Sequence, residues 1–302
     1  AAALYLLHKR SRKPTVVITG GTGNLGTKLA TKLLSTGDYA VVLLEHPSYY
    51  NASRVPEGAT VVLGDLTEGG GAWTRALRGA DAVVHFSAVN PYPNASWAES
   101  AGSMAHTFNV FVEAARCGVR RVVFASSNHV MGCYKDLPEV EDIEPTSPPR
   151  CGTFLRNLED QKKSGDAVPY AAAKLAGEEL ANALAAVSSR TSFVVLRIGW
   201  CQPGENLPST LNPSGTPPQF QNKVEGGEDA APAEATVDET WFKCMWLSNG
   251  DFLRYFCAAL SVPTPPGKKV LVNAMSQNTG MRWSLAETER VLGVKAQDDS
   301  RK

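Results

Sequence analysis

Tyr170 and Lys174 stand four residues apart in YAAAK, and Ser126, Ser127, Asn128 and His129 close the apolar run that begins near Arg120. On a helix, that spacing puts phenol and amine on one face, while a strand ending in hydroxyls delivers them to one edge of a sheet. The set suits the oxidation of an alcohol, because a hydride leaves carbon only if the hydroxyl proton is removed as well. A phenol at its ordinary pKa near 10 is a poor base at neutral pH. An ammonium about 4 Å away, at an effective dielectric of 20, favours the phenolate by roughly 4 kcal/mol, an upper bound of about three pKa units. The sequence therefore predicts Tyr170 as the proton acceptor, Lys174 as the group that lowers its pKa, and Ser127 as the holder of the reacting oxygen.

Hydride transfer also needs an acceptor, and residues 15–26, TVVITGGTGNLG, supply a place for one. An apolar run broken by Gly20, Gly23 and Gly26 predicts a strand, a tight turn and a helix whose first amides face a phosphate. Gly20 permits the turn, Gly23 lets the backbone approach a pyrophosphate, and Gly26 lets helix and strand pack closely. Asn24 and Leu25 fall inside the same motif and are expected at the cofactor; Leu25, Leu29, Leu33 and Leu34 carry the helical period onward. The second apolar run ends in Glu45, about 20 residues past the turn, where a carboxylate accepts hydrogen bonds from ribose hydroxyls and repels a 2′-phosphate. NAD is thus expected in preference to NADP. Asp65 and Leu66, in Gly64-Asp65-Leu66, close the third run on the same edge, with Asp65 placed to bond the adenine amine.

These residues require an ordered scaffold. Strand-like runs recur at 15–19, 40–45, 59–64, 81–86, 120–126 and 191–198, with helical patterns at 24–36, 71–78, 97–117 and 170–187. Strands alternating with helices predict an α/β fold with a doubly wound parallel sheet, whose carboxyl edge binds the ligand. Residues 14–200 read as the dinucleotide-binding domain and 201–302 as a small C-terminal lobe, with a Pro- and Gly-rich loop at 203–240. In the lobe, Ser248 caps a helix running through Leu260, 268–273 reads as a strand, and Ser284 with Glu287 opens a last helix. Trp241, Trp246 and Trp283 are expected to pack the lobe, His85 to be a satisfied core histidine, and His106 to carry no function.

The bulk numbers narrow the partners. With 302 residues, 43% hydrophobic and 20% charged, the composition is that of a globular chain, and 30 basic against 30 acidic residues leave no field for nucleic acid. Six scattered cysteines with no CxxC argue against a metal site and a disulfide scaffold, and favour a reducing compartment. The chain opens AAALYLL and then HKRSRK; seven apolar residues do not span a bilayer, which takes about 20, and they fit equally a frayed leader or the tail of an anchor or of an organellar targeting segment. A homodimer or a place in a larger complex stays open.

TGGTGNLG, GDL, the Ser127, Tyr170 and Lys174 set and LRIG at 196–199 resemble, over nearly the whole chain, the extended short-chain dehydrogenases/reductases, the NAD-dependent epimerase/dehydratase family with its Rossmann fold. Within that family the chain looks most like the uronate dehydrogenases, through ASSNHVMG at 125–132, RIG at 197–199 and WLSNGDF at 246–252. The resemblance implies that Ser127, Asn128 and His129 meet the substrate, and that the anomeric carbon of a hexuronic acid is oxidised to a lactone with NAD. The chain departs from those enzymes in several respects. Trp200 follows RIG where they carry a small polar residue, and is expected to intrude on a sugar pocket. The later arginine that grips the uronate carboxylate has no counterpart. Alignment on EAAR at 113–116 puts Met104 where the family often carries a relay asparagine, and the long interval from Ser127 to Tyr170 predicts an insertion over the pocket. Two functions follow: an NAD-dependent oxidoreductase, or an epimerase or dehydratase with the same apparatus, acting on a sugar; or a non-catalytic dinucleotide-binding subunit of a larger, membrane-bound assembly.

Overall fold

A computed structural model describes residues 12–89, 96–152, 167–210 and 239–302. The apolar start with most of the basic run after it, part of the insertion before Tyr170 and most of the 203–240 loop lie outside the described residues. The apolar runs become β1 (Thr15–Thr19), β2 (Ala40–Glu45), β3 (Thr60–Leu63), β4 (Ala82–His85), β5 (Arg121–Ser127) and β6 (Ser192–Ile198), and β7 (Lys269–Ala274) follows from the C-terminal part. Between and after them lie α1 (Asn24–Thr36), α2 (Gly71–Leu77), α3 (Trp97–Cys117), α4 (Val168–Val187), α5 (Glu239–Cys244), α6 (Asn249–Ser261) and α7 (Ala286–Leu292).

All seven strands run parallel in the order β3-β2-β1-β4-β5-β6-β7. The order reverses between β1 and β4, so the crevice that receives a ligand opens past their carboxyl ends. Strand side chains alternate between two helical layers, as a pleat with period two requires. Val16, Ile18 and Leu43 pack with α1 and α6, whereas Val17, Leu44 and Val83 pack with α2, α3 and α4. β7 joins β6 with Phe193 opposite Lys269, and α6 lays Phe252, Tyr255 and Phe256 into the same core as α1. The chain after Cys201 therefore supplies both an outer strand of the sheet and a lobe. The lobe packs Trp200, Trp241, Trp246 and Trp283 around Val130, Met131 and Ile143, as expected for the three C-terminal tryptophans.

Local signals explain the element ends. Ser96 and Glu99 form a reciprocal capping box at the start of α3, and Gly118 at φ +67° closes it. Ser248 caps α6 by accepting from the Asp251 amide at 2.8 Å. The last helix opens as expected just past Ser284, whose hydroxyl accepts from the Ala286 amide at 3.4 Å, but Glu287 turns to Arg290 rather than back to the cap. At the far end of α6, the buried Arg121 guanidinium donates to the carbonyls of Ala259 and Val262 at 2.6 and 2.7 Å. It thereby satisfies acceptors that the helix leaves open, and burial pulls its pKa down to about 10.

Candidate active site

Every strand delivers its last residues to one edge, and there a groove of about 840 Å³ runs from the glycine turn to β6. Gly20, Gly23, Asn24, Leu25, Gly26, Glu45, Asp65, Ser127, Asn128, His129, Tyr170 and Lys174 all line it. Leu66 does not: it is buried in the core below, and its carbonyl accepts from Asn109 at 2.8 Å. Thr22, His46, Ser87, His106 and Trp200 are among the further lining residues not singled out as ligand contacts. Ser87 and His46 were within reach of sequence reading, because each lies one or two residues past a strand end.

At the cradle, Gly20 takes φ +63° and its carbonyl accepts from the Gly23 amide at 3.0 Å. A Cβ on Gly26 would stand 2.3 Å from the Gly20 oxygen, so no larger residue fits. Gly23 precedes α1 without a side-chain cap, leaving the first amides of the helix to a ligand. A bare turn at a helix start, with a carboxylate 23 residues downstream bonded to its Thr22 amide, fits the pyrophosphate and ribose of a dinucleotide. Asp65 is engaged locally: Oδ1 accepts from the Thr67 amide and hydroxyl at 2.8 and 2.7 Å, which lowers its pKa, and His46 Nε2 lies 3.7 Å from Oδ2. The side-chain amide of Asn24 donates to the Cys201 carbonyl at 2.8 Å, and Lys28 Nζ to the Gln202 carbonyl at 2.6 Å.

At the other end, β5 and α4 bring Ser127, Tyr170 and Lys174 together. Ser127 stands close enough to the Tyr170 phenol to favour its charged form. Lys174 Nζ donates to the Ala125 carbonyl at 2.7 Å and lies 5.6 Å from the centre of the Tyr170 ring. The expected direction of tuning is corrected here. Burial pushes the Tyr170 phenol up to about 12, with the neighbouring Ser127 hydroxyl opposing, and pushes the Lys174 ammonium down to about 7. Desolvation dominates both shifts: Lys174 is buried, and Tyr170 is partly covered at the inner end of the groove. In the protein itself the phenol thus carries its proton, and Lys174 is the group that changes charge near neutrality.

Met104 is also corrected. Its side chain is 45% exposed on the outer face of α3. The α3 residues beside Lys174 are Ser103 and Thr107, which with Tyr170 and Lys174 line a cavity of about 10 Å³, room for one water. Behind them, His85 is the satisfied core histidine expected, bonded to Thr19 at 2.8 Å and Thr107 at 3.1 Å, and burial holds it neutral. His106, by contrast, faces the groove and bonds the Ser87 hydroxyl at 3.2 Å.

Substrate-side residues converge as well. His129 Nε2 lies 3.4 Å from the Trp200 indole nitrogen, and burial lowers the imidazole pKa to about 4. Trp200 forms the wall of the groove, with its backbone bonded to Met245 and Leu247 of the lobe. Asn128 donates to the Ile198 carbonyl at 3.0 Å, while its own Oδ1 is buried without a protein partner, an acceptor ready for a ligand hydroxyl or amide. When bound, a nicotinamide dinucleotide would supply the hydride acceptor; the protein supplies the proton acceptors and the bonds that hold the alcohol.

Comparison with known proteins agrees with this geometry. Residues 16–259 match the model of the NAD dependent epimerase/dehydratase family. An L-arabinose 1-dehydrogenase (NAD(P)(+)) of Haloferax volcanii is 29% identical over 297 residues, 94% of this chain and 97% of the relative. A uronate dehydrogenase of Pseudomonas syringae is 32% identical over 136 residues, 44% of this chain and 46% of that protein. Among solved structures, MoeE5 in complex with UDP-glucuronic acid and NAD superposes with a TM-score of 0.67 at 21% identity, covering 94% of each chain. A mutated uronate dehydrogenase gives 0.65 at 21% identity, with 95% of this chain and 83% of that one covered. With a matching glycine cradle, parallel sheet and family model over most of its length, the chain belongs to the NAD dependent epimerase/dehydratase family of enzymes.

Proposed function

We propose that the protein is an NAD-dependent oxidoreductase that removes a hydride and a proton from a sugar hydroxyl, the anomeric one of a cyclic aldose in the first instance. The observation that carries the reading is the convergence of Ser127, Tyr170 and Lys174 at one end of a groove whose other end is the glycine cradle. Ser127 and Tyr170 would hold the sugar oxygen, and its proton would pass to Tyr170 as the phenol's own proton moves toward Lys174 through the space they share. The arabinose and uronate relatives support a sugar-type substrate. A neutral sugar is favoured over a uronate: among the described residues at the sugar end, the only amine is the buried Lys174, which lies behind Tyr170 and donates to the Ala125 carbonyl, and His129 is uncharged at neutral pH. Arg54 lines the groove at the adenosine end.

Purified protein mixed with NAD and a panel of aldopentoses, aldohexoses and uronic acids, followed by nicotinamide absorbance, tests the proposal. Turnover on a neutral aldose that falls at least about 10²-fold in Tyr170→Phe is the expected result. NAD that raises the melting temperature with no turnover on any sugar would favour the non-catalytic subunit instead. Turnover confined to uronic acids would overturn the choice of a neutral sugar.

A further inference from the structure

The acid at the end of β2 does not stand alone. Glu45 Oε2 accepts two hydrogen bonds from one residue, the Thr22 amide and the Thr22 hydroxyl, each at 2.9 Å. Oε1 accepts from the His46 amide at 3.1 Å. The Thr22 side chain is buried, and its oxygen also accepts from the Asn51 amide at 3.3 Å. A hydroxyl has one proton to give. Two acceptors compete for it, the Glu45 carboxylate at 2.9 Å and the Tyr49 carbonyl at 3.5 Å, and the nearer, charged one takes it.

One small side chain therefore joins three parts of the adenosine end: the glycine turn, the acid, and the turn at 46–51. Oε2 has both lone-pair positions filled, while Oε1 keeps one for a further donor. That remaining acceptor suits a ribose hydroxyl and repels a phosphate oxygen. The carboxylate cannot rotate away from an added phosphate without breaking three bonds.

We infer that Thr22 is a positioning residue of the cofactor site: its hydroxyl locks Glu45 and the 46–51 turn in one arrangement, and so sets the preference for a nucleotide with a free ribose 2′-hydroxyl over one bearing a 2′-phosphate. The inference rests on the reading of the groove as a nicotinamide-dinucleotide site. Without the hydroxyl, Glu45 keeps only the two amide bonds, and the Asn51 amide loses its acceptor. The acid can then swing aside.

The test is direct titration of NAD and NADP into the whole protein, read by calorimetry, for the wild type, Thr22→Val, Thr22→Ser and Glu45→Gln. The ratio of the NADP to the NAD dissociation constant is expected to fall about tenfold in Thr22→Val, one hydrogen bond's worth, and to be restored in Thr22→Ser. A Thr22→Val protein with a lowered melting temperature but the wild-type ratio would make the hydroxyl merely structural and overturn the inference alone. Should Thr22→Val fail to fold, Thr22→Ser and Glu45→Gln decide: the serine must keep the ratio and the glutamine must lower it, and either result reversed overturns the inference. A wild type that binds neither nucleotide, or NADP more tightly, overturns both the inference and the reading of the groove as an NAD site.

Discussion

The Arg197 guanidinium holds the Glu178 carboxylate through bonds of 2.9 and 2.7 Å, with both side chains enclosed. Glu178 lies one turn past Lys174 on α4, and its Oε1 also accepts from the Ser126 hydroxyl, next to Ser127. The guanidinium spends a remaining donor on the Pro145 carbonyl at 3.2 Å. One ion pair thus ties the helix that carries Tyr170 to β5, β6 and the first part of the insertion.

Removing either partner leaves a buried charge without compensation, which costs about 3–5 kcal/mol. Glu178→Leu and Arg197→Met are each expected to lose stability on that scale in urea unfolding, and the double variant to lose less than the sum of the two. Additive losses would show that the pair contributes nothing as a pair.

Lys174 makes stability depend on pH in a defined direction. Its pKa is about 7 in the folded protein and near the ordinary 10.5 when unfolded, so between those values the unfolded chain binds the extra proton. Stability from this residue is complete above about pH 10 and is lost as pH falls toward 7, with a limiting slope of about 1.4 kcal/mol per pH unit. The difference in unfolding free energy between wild type and Lys174→Met is therefore expected to rise with pH over this window. A flat difference would mean that the amine stays charged in the fold.

The glycines separate into a required and a dispensable set. Gly26→Ala puts a methyl 2.3 Å from the Gly20 oxygen, and is expected to cost about 1–3 kcal/mol and to abolish NAD binding. Gly102→Ala, inside α3 with nothing within 4 Å of the new carbon, is expected to stabilise by about 0.5–1 kcal/mol. Thermal melts with and without NAD measure both.

Much of this was legible in the chain because strand and helix periods are local. The runs ending at Glu45 and Ser127 became strands, and parallel winding alone brings their ends to one edge. The turn at Gly20 was equally readable, since its conformation is written in residue type. Phase and burial were not. Adjacent residues on a helix differ by about 100°, so shifting the relay position from Met104 to Ser103 exchanges solvent for the neighbourhood of Lys174. The tuning of Tyr170 was misread because a charge pair can be seen in YAAAK, whereas the burial that governs both groups comes from residues distant in sequence, such as Phe124 against the Lys174 amine. Trp200 was legible as a groove residue, but what holds it there was not, because the lobe residues bonded to its backbone come more than 40 positions later.

Asn24 and Lys28, in the opening turns of α1, grasp the carbonyls of Cys201 and Gln202, where the chain leaves β6. The helix under the nucleotide and the strand exit beside Trp200 are in effect riveted. These two bonds join the start of the lobe to the helix at the glycine turn, so the two ends of the groove share one continuous wall.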